Sequence, residues 1–511
     1  MKRATLFVVT ILLLAVGRVP VRASPETPDG VTTNRPNLVI INIDDMGYAD
    51  IGPFGSTLNR TPNLDRMAKE GRRLTSFYGA PVCSPSRAAL MTGCYPKRAL
   101  PIPHVLFPAN DVGLAPSETT IAEVLKSAGY ATCIVGKWHL GDQPEMLPTR
   151  QGFDQWFGLP YSNDMGPAAD GVKSSFGAPL PAEGKNPQPP LPLMRGETVT
   201  QRVYAVDQTR LVARYTEEAL RFIRTHKEER FFLYLAHNAV HFPLYPSDRF
   251  RGKSANGLYG DWVEEVDWSV GEVLNALRTE RLAEKTFVLF TSDNGGTPRA
   301  VNRPLRGFKG STWEGGMREP TIAWWPGKVP AGTSSDAISG MFDILPTFAA
   351  LAGAAVPSNR KLDGADLRSV LLGATEAPGP HEVFYYFRGL ELEAVRDREW
   401  KLVLPTVAAN AAGKAKGKAK GSAKAAKTAL LFNLKTDIGE SRDVAAQHPE
   451  IVARLEKLVE KMKDDLGTTG FGPGCRPLGK VANPQPLIGH DGKVRPGFEP
   501  KSGASIEEKQ Q

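Results

Sequence analysis

Cysteine is scarce in this sequence: 511 residues contain only four, Cys83, Cys94, Cys133 and Cys475. Small disulfide-stabilised domains carry a much denser set, so that class of protein is excluded. Cys133 lies within an apolar run and is predicted to be a packed thiol in a buried strand. Stability must therefore come from apolar side chains. A chain of this length with 41% hydrophobic residues can bury a large core, divided between one large and one small domain.

The sequence lacks an apolar run near its start that is long enough to cross a membrane. The run from Leu6 to Val16 is short of the roughly 20 residues that a spanning helix needs. Met1-Lys2-Arg3 precede it, and Val21-Arg22-Ala23 offers a cleavage site before Ser24, which is typical of a secretory signal peptide over residues 1–23. No cysteine follows that could carry a lipid. We therefore predict an exported protein, periplasmic or secreted, without a stable membrane anchor.

The main part of the chain also lacks an excess of basic residues, although the formal net charge is +8. Four positive charges lie in the predicted signal peptide and six are lysines between positions 414 and 427, which leaves −2 for the rest. A nucleic-acid surface needs basic residues clustered on a folded element, so no nucleic-acid partner is predicted. The Ala/Gly/Lys-rich residues 408–428 are typical of a disordered insertion. Docking of this insertion to an acidic polysaccharide is the alternative interpretation.

Four apolar runs resemble buried strands, and each leads into polar residues. Residues 38–43 lead into Asp44 and Asp45, 132–135 into Lys137 and His139, 231–235 towards His241, and 286–290 into Asp293 and Asn294. Near-continuous apolar strands are typical of a sheet covered on both faces, and open α/β sheets build their sites at the carboxyl edge. We expect all four groups to meet in one crevice.

Helical patterns alternate with these strands, as the crossovers of a parallel sheet require. Thr61-Pro62 begins a helix that Gly71 ends, and Thr120 with Glu123 has capping-box spacing. Apolar residues recur at helical spacing over residues 261–278. The predicted fold class is α/β, with a large, mainly parallel sheet sandwiched by helices over residues 36–380.

Residues 165–200 are rich in proline and glycine and show no period, which predicts a long loop beside the crevice before a helix over residues 203–224. Loops in such positions often shape substrate specificity, and a plain surface loop is the alternative.

The character of the chain changes after residue 380. Short β-rich segments at residues 383–387, 393–396, 401–404 and 430–434 predict a smaller antiparallel sheet. A helix over residues 449–466 has one apolar face and should pack on that sheet. We therefore predict a C-terminal α+β subdomain over residues 381–470, interrupted by the insertion, and an extended tail over residues 471–511.

The run from Cys83 to Gly93 carries the strongest chemical signal. Pro85 suits the first turn of a helix that the following residues continue. The free N–H groups and positive dipole end of that helix would face an anionic group held beside Cys83.

The segment Cys83-Ser84-Pro85-Ser86-Arg87 resembles the maturation motif of the type I sulfatases, in which the cysteine is oxidised after synthesis to formylglycine. The resemblance covers about residues 36–470 and is most similar to the arylsulfatase A branch of the alkaline phosphatase superfamily. The other matching residues are Asp44-Asp45, Gly136 to Gly141, Pro160 to Asp164, His241, Asp293-Asn294, and Lys309 ahead of Glu314-Gly315-Gly316. Cys94 is a departure, because relatives usually carry arginine there. If Cys83 is consumed by maturation, three cysteines remain and at most one internal bridge can form.

Two strand ends offer oxygen ligands for a hard cation. Asp44, Asp45, Asp293 and Asn294 suit Ca²⁺ or Mg²⁺ better than softer metals, and we expect Ca²⁺. The resemblance adds residue 83, since a hydroxyl of its hydrated aldehyde would complete that metal shell and be activated as the nucleophile.

The resemblance also implies roles for the remaining residues. Arg87 would steady the formylglycine and the metal, while Lys137, Ser162 and Lys309 would hold sulfate oxygens. His241, with Lys309, would protonate the leaving oxygen. His139 would take a proton from the second hydroxyl to release sulfate.

The chain is accordingly expected to be a sulfuric ester hydrolase acting on a sulfated saccharide or an aryl sulfate, with a formylglycine-generating enzyme as its maturation partner. The sequence leaves two alternatives open. One is a phosphomonoester or phosphonate hydrolase of the same superfamily, and the other is a catalytically silent protein that binds sulfated glycans.

Overall fold

The computed structural model describes residue 1 and residues 35–373, 377–405 and 428–500. Residues from Arg35 onwards form one compact unit. The predicted signal peptide and residues 408–427 of the predicted insertion lie outside the described residues. Within the described ranges, no helix is both long and apolar enough to span a bilayer.

The strands follow the predicted runs closely. In chain order they are β1 (Asn37–Ile43), β2 (Arg72–Tyr78), β3 (Val112–Gly113), β4 (Ala131–Gly136), β5 (Gln155–Gly158), β6 (Pro192–Arg195), β7 (Thr198–Arg202), β8 (Phe231–Ala236), β9 (Thr286–Ser292), β10 (Arg318–Trp324), β11 (Thr333–Ser335), β12 (Ser339–Gly340), β13 (Val383–Arg388), β14 (Glu391–Asp397), β15 (Trp400–Val403), β16 (Leu430–Asn433) and β17 (Gly479–Lys480).

The helices lie between them. They are α1 (Pro62–Glu70), α2 (Cys83–Thr92), α3 (Pro96–Ala99), α4 (Ile121–Ser127), α5 (Ala205–Gln208), α6 (Leu211–Thr225), α7 (Gly257–Thr279), α8 (Glu314–Met317), α9 (Ile344–Ala352), α10 (Arg368–Leu372) and α11 (Pro449–Lys463). Short 3₁₀ helices cover Gly52–Phe54, Pro144–Met146, Pro148–Arg150, Ala168–Asp170, Ala283–Lys285, Met341–Asp343 and Ala445–Gln447.

The large sheet has the strand order β11-β2-β10-β9-β1-β8-β4-β5-β6-β7, with β12 also beside β2. Its centre, from β9 to β5, is parallel. Strands β10, β6 and β7 add antiparallel pairs at its flanks. The predicted fold class, a large and mainly parallel sheet in an α/β protein, is confirmed.

Helices cover both faces of this sheet, as its apolar strands require. Leu38 and Ile40 belong to one apolar core and Val39 and Ile41 to the other. Because successive side chains of a strand point to opposite faces, this alternation places one core on each side. Helices α4 and α9 contribute to the first core, and α1, α6 and α7 contribute to the second.

Local signals predicted the boundaries of several helices. Helix α1 follows Thr61 and ends before Gly71. Thr120 and Glu123 form the predicted capping box of α4. Helix α7 begins at Gly257, four residues before the predicted start at 261. The helix predicted over residues 203–224 consists of two pieces, α5 and α6.

The prediction of a loop through residues 165–200 is wrong at its C-terminal end. Strands β6 and β7 form a hairpin there that pairs with β5 and extends the large sheet. Arg195 faces Thr198, so the turn contains only Gly196 and Glu197, and Gly196 has a φ of 57°. Glycine tolerates this left-handed conformation, which tight hairpin turns use. The composition of the segment concealed the short alternating pattern on either side of the turn.

The smaller sheet is the predicted antiparallel meander β13-β14-β15-β16. Leu455 of α11 packs against Val395, Leu402 and Leu431 of this sheet, so the predicted helix docks as expected. The tail is largely irregular, but its β17 pairs with β3, and Leu487 and Phe498 are buried.

Candidate active site

The carboxyl ends of the central strands bring the predicted polar residues together. Asp44 and Asp45 follow β1, which pairs with both β8 and β9. Lys137 follows β4, and Asp293 follows β9. The backbone N–H of Asp45 donates to Asp293 Oδ1 at 3.3 Å, which joins two of these strand ends directly. These strand ends therefore meet at one edge of the sheet, as expected.

Cys83 is the first residue of α2, and Val82 before it is extended. Its Sγ lies 3.3 Å from Asp44 Oδ1 and is buried. Burial raises the pKa of the Cys83 thiol well above its usual range, and the charges of Asp293 and Asp44 raise it further. An unmodified Cys83 is therefore held as a neutral thiol, which is a poor nucleophile.

Arg87 lies one helical turn after Cys83 and faces the same carboxylates. Its Nε and Nη2 lie 3.0 and 2.9 Å from Asp293 Oδ2, and its Nη1 donates to the Lys137 carbonyl at 2.8 Å. With 1% of its side chain exposed, this guanidinium joins α2 to the ends of β9 and β4.

Four side chains, Asp44, Asp45, Cys83 and His241, offer metal-ligand atoms that all lie within 4.8 Å of one another. Asn294 Nδ2 donates to Asp45 Oδ1 at 2.7 Å. Its Oδ1 is buried and, among the described residues, has no hydrogen-bond partner. An orphaned amide oxygen beside several carboxylates fits a hard divalent cation.

Two lysines neutralise the aspartates. Lys137 Nζ is fully buried, contacts Asp44 and donates to Ser162 Oγ at 2.9 Å. Lys309 Nζ lies 2.7 Å from Asp45 Oδ1. Burial is the largest single effect on Lys137 and disfavours its charge, but the nearby negative charges, with Asp44 foremost, together outweigh burial and raise the lysine pKa. Burial is also the largest single effect on Asp44 and raises its pKa, but the surrounding cations, with Lys137 foremost, together outweigh burial and the net direction is downward.

The two predicted histidines occupy different environments. His241 Nε2 lies 3.3 Å from Ser162 Oγ and 3.7 Å from Asp45 Oδ2, and 12% of its side chain is exposed. His139 is buried and its Nε2 contacts the Leu106 carbonyl at 2.9 Å, while its Nδ1 has no partner among the described residues. Burial lowers the pKa of His139 well below its usual range, and the charge of Lys137 lowers it further.

Two further histidines, His237 and His104, carry no role predicted from the sequence. His237 is buried with its Nε2 3.0 Å from Ser269 Oγ, and burial lowers its pKa to about 3. His104 is exposed, and burial of its ring together with the charge of Lys309 lowers its pKa.

One buried acid near the cluster was not predicted. Glu319 lies at the start of β10, is fully buried, and neither carboxylate oxygen has a hydrogen-bond partner in the part of the chain that the structure describes. Burial raises the pKa of Glu319 well above its usual range, and Asp293 and Asp45 add to the rise. Strand β10 also contains Arg318 and Thr321, so no local pattern in the sequence marked Glu319 as buried.

The chain matches two protein-family models. A family model described as Sulfatase matches residues 36–354, and one described as the C-terminal region of aryl-sulfatase matches residues 379–471.

Curated relatives match over most of their length. N-acetylgalactosamine-6-sulfatase of Homo sapiens is 35% identical, with 89% of this chain and 93% of the relative covered. Arylsulfatase A of Homo sapiens is 38% identical, with 86% and 90% covered.

Solved structures agree in fold. The chain is similar to Ps i-CgsB in complex with k-i-k-neocarrahexaose, with a TM-score of 0.67, 32% identity, and 84% of this chain and 92% of that chain covered. It is also similar to the PsFucS1 sulfatase from Pseudoalteromonas sp., with a TM-score of 0.72, 27% identity, and 86% and 92% covered.

Proposed function

Because this chain belongs to the sulfatase family and is a sulfuric ester hydrolase, we propose that its substrates are sulfate monoesters of saccharides. The names of its relatives support a saccharide, since one acts on N-acetylgalactosamine 6-sulfate and another is bound to a neocarrahexaose. The signal-like start of the sequence supports export to a periplasm or the exterior. We assign residues 36–380 to the catalytic domain and 381–470 to the C-terminal subdomain.

The observation that carries the proposal is the position of Cys83. It begins α2, lies 3.3 Å from Asp44, and is surrounded by the cations of Arg87, Lys137 and Lys309. A formylglycine made from Cys83 by a maturation enzyme would supply a hydroxyl nucleophile, and a divalent cation, Ca²⁺ by preference, would activate that hydroxyl. Asp44, Asp45, Asp293 and Asn294 would hold the cation, with residue 83 completing the set.

The lysines provide charge for the sulfate group. Lys137 and Lys309 are both held as ammonium ions, because their carboxylate neighbours raise their pKa values against the effect of burial. Ser162 Oγ lies between Lys137 Nζ and His241 Nε2. Lys137, Ser162 and Lys309 would bind the sulfate oxygens. Fixed cations stabilise charge that develops in the transition state.

The histidines suit opposite proton transfers. His241 is partly exposed beside Ser162, so its Nε2 can reach a leaving oxygen and donate a proton to it. His139 has a buried ring nitrogen that has no partner in the described part of the chain, and the ring is held neutral, so it can accept a proton from the hydroxyl at residue 83. A proton donor and a proton acceptor in different environments provide the two proton transfers that ester cleavage and the later release of sulfate require.

The test is the release of free sulfate from a panel of defined sulfated mono- and oligosaccharides. Protein whose Cys83 peptide carries formylglycine by mass spectrometry is compared with Cys83→Ala, and an aryl sulfate and its matched aryl phosphate are assayed in parallel. Release from one or more saccharides that is absent from Cys83→Ala supports the proposal. Preference for the aryl phosphate, or silence across the panel from correctly matured protein, would contradict it.

A further inference from the structure

A hydrogen-bonded turn at residues 296–302 follows Asp293 and Asn294 of the active site along the chain. The Gly296 N–H donates to Asn302 Oδ1 at 3.2 Å, and Asn302 Nδ2 donates back to the Gly296 carbonyl at 2.9 Å. The Val301 N–H donates to Asp50 Oδ1 at 2.9 Å, and the Lys309 N–H donates to the Gly296 carbonyl at 3.0 Å. The turn is therefore fixed between the chain that follows Asp45 and the loop that carries Lys309.

Arg299 lies on this turn and is exposed to solvent. Its guanidinium carbon lies 4.5 Å from the centre of the Phe242 ring. No carboxylate of the described residues lies within ion-pair distance of it, whereas Arg251, which stacks on Phe176, is paired with Asp248. Stacking on an aromatic ring restrains a guanidinium and leaves its N–H edge available for an anion.

Phe242 follows His241 directly, and the Phe242 carbonyl contacts His241 Nδ1. The ring under Arg299 therefore belongs to the segment that carries the proposed proton donor. If His241 protonates the leaving oxygen, Arg299, stacked on the next residue, would face the leaving saccharide.

We propose that Arg299 is a specificity residue that binds a second anionic group, a carboxylate or a further sulfate, on the leaving saccharide. This inference rests on the proposed function. A carboxylate and a sulfate each present a pair of oxygen atoms that a guanidinium can bind through two parallel N–H donors.

The test compares kcat/KM for substrates that share one sulfate ester and differ only in the leaving saccharide: neutral, carrying a uronate carboxylate, or carrying a second sulfate. Arg299→Ala is expected to lower the ratio of acidic to neutral kcat/KM by about fivefold, the effect of one exposed ion pair. Raising the salt concentration should shrink the wild-type ratio, because the Debye length falls to about 3 Å at 1 M. The two acidic substrates show whether carboxylate or sulfate is preferred.

Arg249→Ala is the matched control, because Arg249 is also exposed and stacked, 4.7 Å from the Trp268 ring, without an ion pair among the described residues. This control should leave the ratio unchanged. An Arg299→Ala enzyme with the wild-type ratio, or with equal losses on neutral and acidic substrates, would overturn the inference while leaving the sulfatase proposal intact. Wild-type protein that releases no sulfate from any substrate, an aryl sulfate included, would overturn both.

Discussion

Lys401 is a buried cation that joins β15 of the small sheet to α8, and its removal should destabilise the protein strongly. It has no exposed side-chain surface. Its Nζ lies 3.0 Å from Glu314 Oε1 and 2.7 Å from Glu440 Oε1, and it donates to the Thr312 carbonyl at 2.8 Å. The change Lys401→Met keeps a chain of similar length beside the Tyr386 ring and removes only the charge and its hydrogen bonds.

The cost follows from what remains after the substitution. Glu314 keeps hydrogen bonds from the Tyr78 and Tyr386 hydroxyls, at 2.6 and 2.8 Å. The Glu440 carboxylate keeps only the N–H of Glu314, at 2.8 Å, among the described residues. Removing one partner of a buried ion pair typically costs about 3–5 kcal/mol, because the other charge stays buried without compensation. We therefore expect Lys401→Met to lower the free energy of unfolding by about 3–5 kcal/mol.

The loss should depend on pH. Burial raises the pKa of Glu440 to about 7 against the opposing charge of Lys401. Without Lys401 the pKa should rise further, so the native state binds a proton that the unfolded state releases, and stability falls as pH increases above about 4.5. The free energy of unfolding of Lys401→Met should therefore be closest to the wild-type value near pH 5 and furthest below it near pH 8.

The assay is urea unfolding at pH 5 and pH 8, reading the midpoint and slope. Lys401→Met/Glu440→Gln should recover part of the loss, because it removes the orphaned charge. Lys435→Met, at an exposed lysine of the same subdomain, is the control and should stay near wild type. A Lys401→Met protein that matches this control at both pH values would refute the reasoning.

Three further results are expected. Thr120→Ala should lower the free energy of unfolding by about 1–2 kcal/mol, because Thr120 Oγ1 accepts from the Glu123 N–H at 3.2 Å and donates to the Gln151 carbonyl at 2.7 Å. An unchanged urea midpoint would count against this expectation. Burial raises the pKa of Glu265 to about 7 despite a hydrogen bond from Ser247, so wild-type stability should fall as pH rises from about 4.5 to 7. Glu265→Gln should therefore gain about 2 kcal/mol relative to wild type between pH 5 and pH 8, and a parallel pH profile for the two proteins would contradict it. Removal of divalent cations by a chelator should lower both sulfate release and the melting temperature, with Ca²⁺ restoring both better than Mg²⁺; full activity in the chelated protein would exclude the metal.

The sequence alone determined the elements whose signals are local. Apolar runs of four to six residues predicted the central strands, and Thr120 with Glu123 predicted a capping box. The motif from Cys83 predicted a helix start, because its proline and small residues constrain the backbone within one turn. The site residues that follow the four apolar runs could be named because those strands are recognisable without knowledge of their neighbours. Cys83, Arg87, Ser162 and Lys309 were instead named from the resemblance of their motifs to the family.

Tertiary structure decided what depends on distant contacts. The hairpin of β6 and β7 was missed because its short strands are stabilised by pairing with β5, which no local pattern reveals. The burial of Glu319 near Asp293, the pairing of Lys401 with Glu314 and Glu440, and the stacking of Arg299 on Phe242 were equally invisible in the sequence. Desolvation and Coulomb interactions act through space, so the pKa of a side chain and the partner of a charge are set only when the folded chain brings remote segments together.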